Sequence, residues 1–238
     1  MSGKLIVIEG TDCSGKQTQS DMLFDKLKGD GIKIFKSSFP MYNSPTGKIV
    51  GGCYLGKPHL SYGAKGVPPL FDEGASRVNP KVASLFFAAD RLYNIEIIKN
   101  LLAEGTTVIL DRYIESNIAH QGGKIEESAE RLKMYRWLEK LEYGLLELPK
   151  PDMTIFLHVP AQSAIELRKG RIDEKADQHE ISSKHIQDSE RAYLELAQLY
   201  NFKTISCVNK GAIRAINDIH NEVYLAAKNL IVPQEKKR

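Results

Sequence analysis

LIVIEGTDCSGKQTQ, residues 5–19, decides the fold. The four consecutive apolar residues 5–8 read as a strand buried on both faces, as in the middle of a parallel sheet. The strand runs into a loop framed by Gly10 and Gly15 and closed by Lys16. Gly10 lets the backbone turn where a side chain would collide. Gly15 permits close approach of a polyphosphate, and Lys16 reaches toward its β- and γ-phosphates. A helix starting near Lys16 adds unpaired N–H groups as a further anion site. Residues 10–18 therefore read as a phosphate-binding loop, with Gly10, Cys13, Ser14, Gly15, Lys16, Gln17 and Thr18 as the expected nucleotide-side residues. Gln17 follows the lysine where a Ser or Thr ordinarily supplies the hydroxyl for Mg²⁺, and Thr18 comes one residue late.

Outward from this loop, strand-like segments at 5–8, 32–38, 106–111, 153–159 and 202–208 alternate with helical patterns at 16–28, 80–103, 128–145, 161–171, 181–200 and 212–230. Such alternation predicts an α/β fold, a three-layer sandwich with a five-stranded parallel sheet and helices on both faces. Ligands in such folds sit beyond the carboxyl ends of the strands. Residues 40–80 are rich in Gly and Pro and lack periodicity, which predicts a substrate-side loop or small subdomain. At 238 residues the chain suits one α/β domain.

Thirty-three Lys+Arg against 30 Asp+Glu, a formal charge of +3, is too balanced for general attraction to nucleic acid or to a membrane surface. The chain has no run of 18 apolar residues and no charged-then-apolar leader, so the expectation is a cytosolic protein. Cys13, Cys53 and Cys207 are widely spaced, without CxxC or nearby histidines, and read as reduced thiols. Cys13 lies beside Lys16 and a helix N-terminus, both of which lower a thiol pKa, so oxidation there would block the loop. The simpler reading is a small residue tolerated in the loop.

The segment TTVILD, residues 106–111, ends in Asp111-Arg112-Tyr113. A carboxylate at that sheet edge holds Mg²⁺ through water, and a guanidinium clamps phosphate bidentately. The competing reading is a salt bridge at a helix start.

With these motifs in order, the chain resembles the thymidylate kinase family, P-loop enzymes that phosphorylate dTMP to dTDP with ATP and so supply dTTP synthesis. The resemblance rests on IEGTDCSGKQTQ (8–19), Phe39-Pro40, LFFAADR (85–91), DRYIESNIAHQG (111–122), PDMTIFLHVP (151–160) and AYLELA (192–197). It implies ATP and Mg²⁺, with Lys16 on the ATP phosphates and Asp12 orienting the dTMP phosphate or its metal. The expected metal side is Asp12, Thr18 and Asp111, since the family's loop also ends in Thr at this position. The resemblance further implies that Phe87 stacks on thymine, Arg91 hydrogen-bonds its edge and Arg112 holds the monophosphate. Ser116 and Asn117 would face base or phosphate, and Phe39, Pro40 and Tyr42 would wall the sugar. His120 stands where the family often carries a Tyr near the sugar. Phe86 and Phe87 also fit a helix buried against the sheet.

Phosphoryl transfer by in-line attack needs cations on the equatorial oxygens. The loop carries no arginine between Gly10 and Gly15, so residues 166–180 read as a lid, with Arg168, Lys169 and Arg171 as candidate cations beside Asp12, Lys16 and Arg112. A charged surface helix end is the alternative. The resemblance also implies a homodimer, with helices near 80–103 and 128–145 as contact faces. His158 replaces the Asp of the family's L-D-V motif and is given no chemistry, and DQHE (177–180) matches only loosely. Two other functions fit the same residues: a same-fold kinase for another nucleoside monophosphate or a deoxynucleoside, and an ATP-binding regulatory module without turnover.

Overall fold

The structure, a computed structural model, describes residues 2–57, 71, 74–169 and 183–232, the side chains of residues 168 and 169 excepted. Strand β1 (Leu5–Glu9) is buried along its whole length and feeds two cores. Leu5 and Val7 point to one face of the sheet, Ile6 and Ile8 to the other. With β2 (Ile34–Ser38), β3 (Thr107–Asp111), β4 (Met153–His158) and β5 (Lys203–Ser206) it forms a five-stranded parallel sheet in the order β2-β3-β1-β4-β5. Ile8 lies opposite both Asp111 and Ile155, and Ser38 lies opposite Asp111. The carboxyl ends of β1, β2 and β3 therefore meet at one edge, where such a sheet places its ligands.

Helix α1 (Lys16–Gly29) covers one face with α8 (Ile216–Ile231), packing Leu23 and Leu27 near Val223 and Ala227. The opposite face carries α3 (Pro80–Ala103), α4 (Ile114–Gly123), α5 (Ser128–Glu139) and α7 (Ser183–Leu199), through residues such as Ile98, Ile118, Leu138 and Leu196. Burying one such side chain contributes about 2 kcal/mol. An exposed ion pair such as Lys33–Glu104 contributes at most about 1 kcal/mol, so packing holds the layers together.

Helix α3 begins with Pro80 at its first turn, and Asn79 caps it by accepting the Lys81 amide at 2.9 Å. Elsewhere the expected bounds shift. The pattern at 128–145 is α-helical to Glu139 and then widens into a π-helical stretch, Lys140–Leu145. Residues 212 and 213 are not helical. They form β7 (Ala212–Ile213), paired with β6 (Val208–Asn209) around Lys210 and Gly211, both at positive φ as a tight hairpin turn requires. The helix expected at 161–171 is α6 (Ala161–Lys169), and residues 170 and 171 lie outside the described residues.

Within the Gly- and Pro-rich 40–80 segment, α2 (Pro45–Lys48) leads into a π-helical turn, Ile49–Tyr54. Asp90 of α3 anchors the approach to it, accepting the Met41 amide at 2.8 Å, the Ser44 hydroxyl at 3.1 Å and the Thr46 hydroxyl at 2.7 Å. Tyr54 is fully buried in a third core with Leu55, Val78, Phe71, Phe86 and Phe87. Lys124, just beyond α4, donates to the carbonyls of Ala75 at 3.0 Å and Val78 at 3.2 Å, and burial lowers its pKa to about 8. This part of the excursion is ordered by tertiary contacts with α3 and α4, which local periodicity does not reveal.

Candidate active site

A Cβ at Gly10 would sit 2.7 Å from the Leu157 carbonyl oxygen, so only glycine lets the loop leave β1 against β4. Gly15 is left-handed, φ 83, and caps α1 without a side-chain bond. Amides of the first helical turn therefore face the loop, the arrangement that binds anions. Lys16 is buried, with Nζ donating to the Thr11 carbonyl at 2.7 Å and lying 3.5 Å from Ser14 Oγ. Burial, reinforced by the Arg112 charge, lowers its pKa to about 8.

Arg112 follows β3 in the left-handed conformation, φ 67, its amide bonded to the Ile8 carbonyl at 3.1 Å. Its side chain pairs with Asp12 and reaches Ser116 Oγ at 3.3 Å and His120 Nε2 at 3.1 Å. Burial works most strongly against the Asp12 carboxylate, but the Arg112 guanidinium together with His120, Lys16 and His185 outweighs it and holds the group well below the usual carboxylate range.

Two cavities meet at this pair. The first, about 540 Å³, is lined by all ten expected acceptor-side residues: Asp12, Phe39, Pro40, Tyr42, Phe87, Arg91, Arg112, Ser116, Asn117 and His120. Half-buried Phe87 sits in T-shaped contact with Tyr54, ring centroids 5.5 Å apart. The second cavity, about 1000 Å³, shares Asp12, Arg112, Phe39, Pro40 and Tyr42 and adds Gln17, Lys36 and Asp111. Asp12 and Asp111 thus face a common space beside the phosphate loop, a donor set suited to Mg²⁺. Thr18 is exposed on α1 and lines neither cavity, because the rotation of a helix with 3.6 residues per turn carries it away from Gln17, which does line the second.

Arg91 is buried and turned onto Glu142, with its Nη2 2.6 Å from Oε1 and its Nε on Oε2. Two of the three nitrogens of the guanidinium that the resemblance directs at a base edge thus bond a carboxylate 51 residues away, while Arg91 still lines the first cavity. The same carboxylate accepts from Asn117 Nδ2 at 2.8 Å, leaving the buried Asn117 Oδ1 without a hydrogen-bond partner. Sequence reasoning missed Gln121, which is fully buried, lines the first cavity and has neither amide atom hydrogen-bonded. Gln121 lies four residues after Asn117 and shares its face of α4, a relation that shows only once the segment is known to be helical.

His158 hydrogen-bonds Glu190 at 2.8 Å, and Glu190 also accepts the Ala161 amide at 2.9 Å, so this histidine ties β4 to α7. No disulfide joins the cysteines, and Cys13 sits in the loop at φ 64. The side chain of Arg168 and the whole of Arg171 lie outside the described residues. Among the described residues no helix is long and apolar enough to cross a membrane.

Comparison with known proteins agrees with this geometry. A family model described as thymidylate kinase matches residues 71–223. The probable thymidylate kinase of Methanocaldococcus jannaschii is 32% identical over 228 residues, covering 94% of this chain and 96% of that protein. The thymidylate kinase of Mycobacterium tuberculosis is 30% identical over 197 residues, 81% of this chain and 85% of that one. The solved structure of Candida albicans thymidylate kinase shares the fold at TM-score 0.69 and 23% identity, covering 97% of this chain and 94% of that one.

Proposed function

The chain belongs to the thymidylate kinase family, and we propose that it transfers the γ-phosphoryl group of Mg·ATP to dTMP, giving dTDP and ADP. The observation that carries the chemistry is the Asp12–Arg112 pair, which lines both cavities and so stands where acceptor and donor phosphates would meet. The phosphate loop and Lys16 bind the donor. The first cavity takes the nucleoside, with Phe87 against the base and the Asn117 and Gln121 amides toward its edge.

A dTMP phosphate oxygen attacks the γ-phosphorus in line, a new P–O bond forms, and the bond to the β-phosphate oxygen breaks with that electron pair leaving on ADP. Arg112 draws the acceptor phosphate in and Lys16 offsets charge on the transferred group, both by position rather than by covalent chemistry. Mg²⁺, held by Asp12 and Asp111 through water, would neutralise donor-phosphate charge. Arg168 and Arg171 are the proposed further cations. The exposed apolar side chains Val82, Leu85, Leu92, Tyr93 and Ile97 on α3 support a homodimer through that helix.

Calorimetric titration with dTMP, thymidine and dCMP tests the acceptor assignment. The proposal expects dTMP to bind at least about tenfold more tightly than either of the others, one tenfold step being about 1.4 kcal/mol. Equal affinity for thymidine would remove the phosphate contact from the scheme, and equal affinity for dCMP the base-edge contact.

A further inference from the structure

We propose that His185 and Ser189 of α7 are positioning residues for the phosphate-binding arginine, acting through His120; this rests on the reading of Arg112 as the acceptor-phosphate ligand. A directed chain of hydrogen bonds carries the inference. Arg112 Nη1 lies 3.1 Å from His120 Nε2, and His120 Nδ1 lies 3.1 Å from both His185 Nε2 and Ser189 Oγ. Guanidinium nitrogens only donate, so His120 Nε2 is the acceptor and carries no proton. The ring proton of neutral His120 is then on Nδ1, and it needs an acceptor on α7. His185 Nε2 and Ser189 Oγ are the two atoms placed to receive it.

Ring geometry agrees with this direction. The two imidazole planes differ by 16° and their centroids are 5.2 Å apart, an excess over the N···N distance of about one ring's width. That is an edge-to-edge bond in a shared plane, with each ring nitrogen aimed at the other. The His120 ring also packs against Tyr193 in a T-shaped contact, with centroids 5.9 Å apart and planes at 87°, so a second residue holds the ring.

The consequence lies in the orientation of Arg112. Asp12 holds one end of the guanidinium, and the His120 bond fixes rotation about the other. His185 and Ser189 are both nearly fully buried and stand outside the cavity lining, so their hydrogen-bonded route to Arg112 runs through His120. A planar guanidinium misdirected by a lost acceptor loses its fit to phosphate, whereas the loop that binds ATP is untouched.

The first test needs no nucleotide. In ¹⁵N-histidine NMR near neutral pH, with His120→Gln supplying the assignment, His120 should show a protonated Nδ1 and an unprotonated Nε2. The opposite tautomer, or a doubly protonated ring, would overturn the relay.

The second test uses His185→Phe combined with Ser189→Ala, which keeps a planar ring and removes both acceptors. KM for dTMP should rise about tenfold, the scale of one charge-assisted hydrogen bond, while KM for ATP stays within the error of the parent. His185→Gln alone, whose amide reaches the Nε2 position, should bind dTMP like the parent. An unchanged KM for dTMP in the double variant, or equal rises for dTMP and ATP, would contradict the proposal. If the double variant does not fold, His185→Phe and Ser189→Ala are read singly by the same criterion. Turnover of dTMP by the parent tests the function itself, and the tautomer stands or falls without it.

Discussion

The Glu9 carboxylate at the end of β1 caps α4 from across the molecule, accepting the Ser116 amide at 3.1 Å and the Ser116 hydroxyl at 2.6 Å. It also takes the Tyr113 amide and the Tyr193 hydroxyl, each at 2.8 Å. Tyr113 stands at the N-cap of α4 and supplies no side-chain bond of its own, so orphan amides at that helix end are satisfied by the strand that leads into the phosphate loop. One buried carboxylate thus joins the donor loop to the helix that lines the acceptor cavity.

Glu9→Ala should therefore destabilise the fold more than its size suggests. It strands two amides and one hydroxyl proton in the interior, since the Ser116 and Tyr193 hydroxyls, 2.9 Å apart, can satisfy only one proton between them, and an unsatisfied buried group costs about 1–3 kcal/mol. Urea unfolding should show a loss of at least about 3 kcal/mol, with Glu9→Gln losing less. A loss below about 1 kcal/mol would mean that water or relaxation replaces the carboxylate.

Gln121→Leu should separate stability from binding. The parent amide is buried with no partner, so an apolar side chain of similar size should leave the melting temperature unchanged or raise it. The same change removes the polar contact available to a base edge, and KM for dTMP should rise about tenfold or more. A raised KM with a collapsed melting temperature would instead mark Gln121 as a packing residue.

This pairing also shows what was legible in the sequence. The loop at residues 10–16 and the start of α3 at Asn79-Pro80 are written in local chemistry: glycines, a lysine, a cap and a proline, each constrained by its own backbone. Helix α4 is not legible in that way. Its polar residues Glu115, Ser116, Asn117 and Gln121 are all buried, so it has no solvent face and no contrast of polar and apolar sides to mark its period. Motif resemblance points to the ten acceptor-side residues, yet not to the partner of Arg91. Glu142 is far away in the chain and only the tertiary fold brings it near. The short hairpin at 208–213 was hidden by a helical pattern that begins only a few residues later.

Glu115 should make stability depend on pH. Burial, with Glu9 nearby, raises its pKa from 4.5 to about 7, and one of its carboxylate oxygens has no hydrogen-bond partner. A carboxyl whose folded pKa exceeds its unfolded value binds the proton more tightly in the folded state. Stability therefore falls as pH rises through that window, and the penalty is complete above it. Glu115→Gln cannot ionise, so relative to the parent it should gain about 3 kcal/mol between the acid and alkaline sides of the window. Denaturation on both sides of the window measures the change, and a constant gap between parent and variant would remove the assigned shift.

Lys16 should impose an alkaline limb on ATP use. Its pKa of about 8 means that the free enzyme loses this charge just above neutrality, while ATP phosphates require it. Values of kcat/KM for ATP, which report on the free enzyme, should fall as pH rises through about 8. A profile flat to well above that pH would show that the lysine keeps its ordinary affinity for the proton.

The most direct test of the central claim is the initial rate of ADP release from Mg·ATP with dTMP, dUMP, dCMP, dGMP and thymidine offered separately as acceptors, with dTDP identified as the product. The account predicts release that depends on the acceptor and is fastest with dTMP, with thymidine inert for want of a phosphate to engage Arg112. Release that ignores the acceptor, or that is faster with another monophosphate than with dTMP, would contradict it.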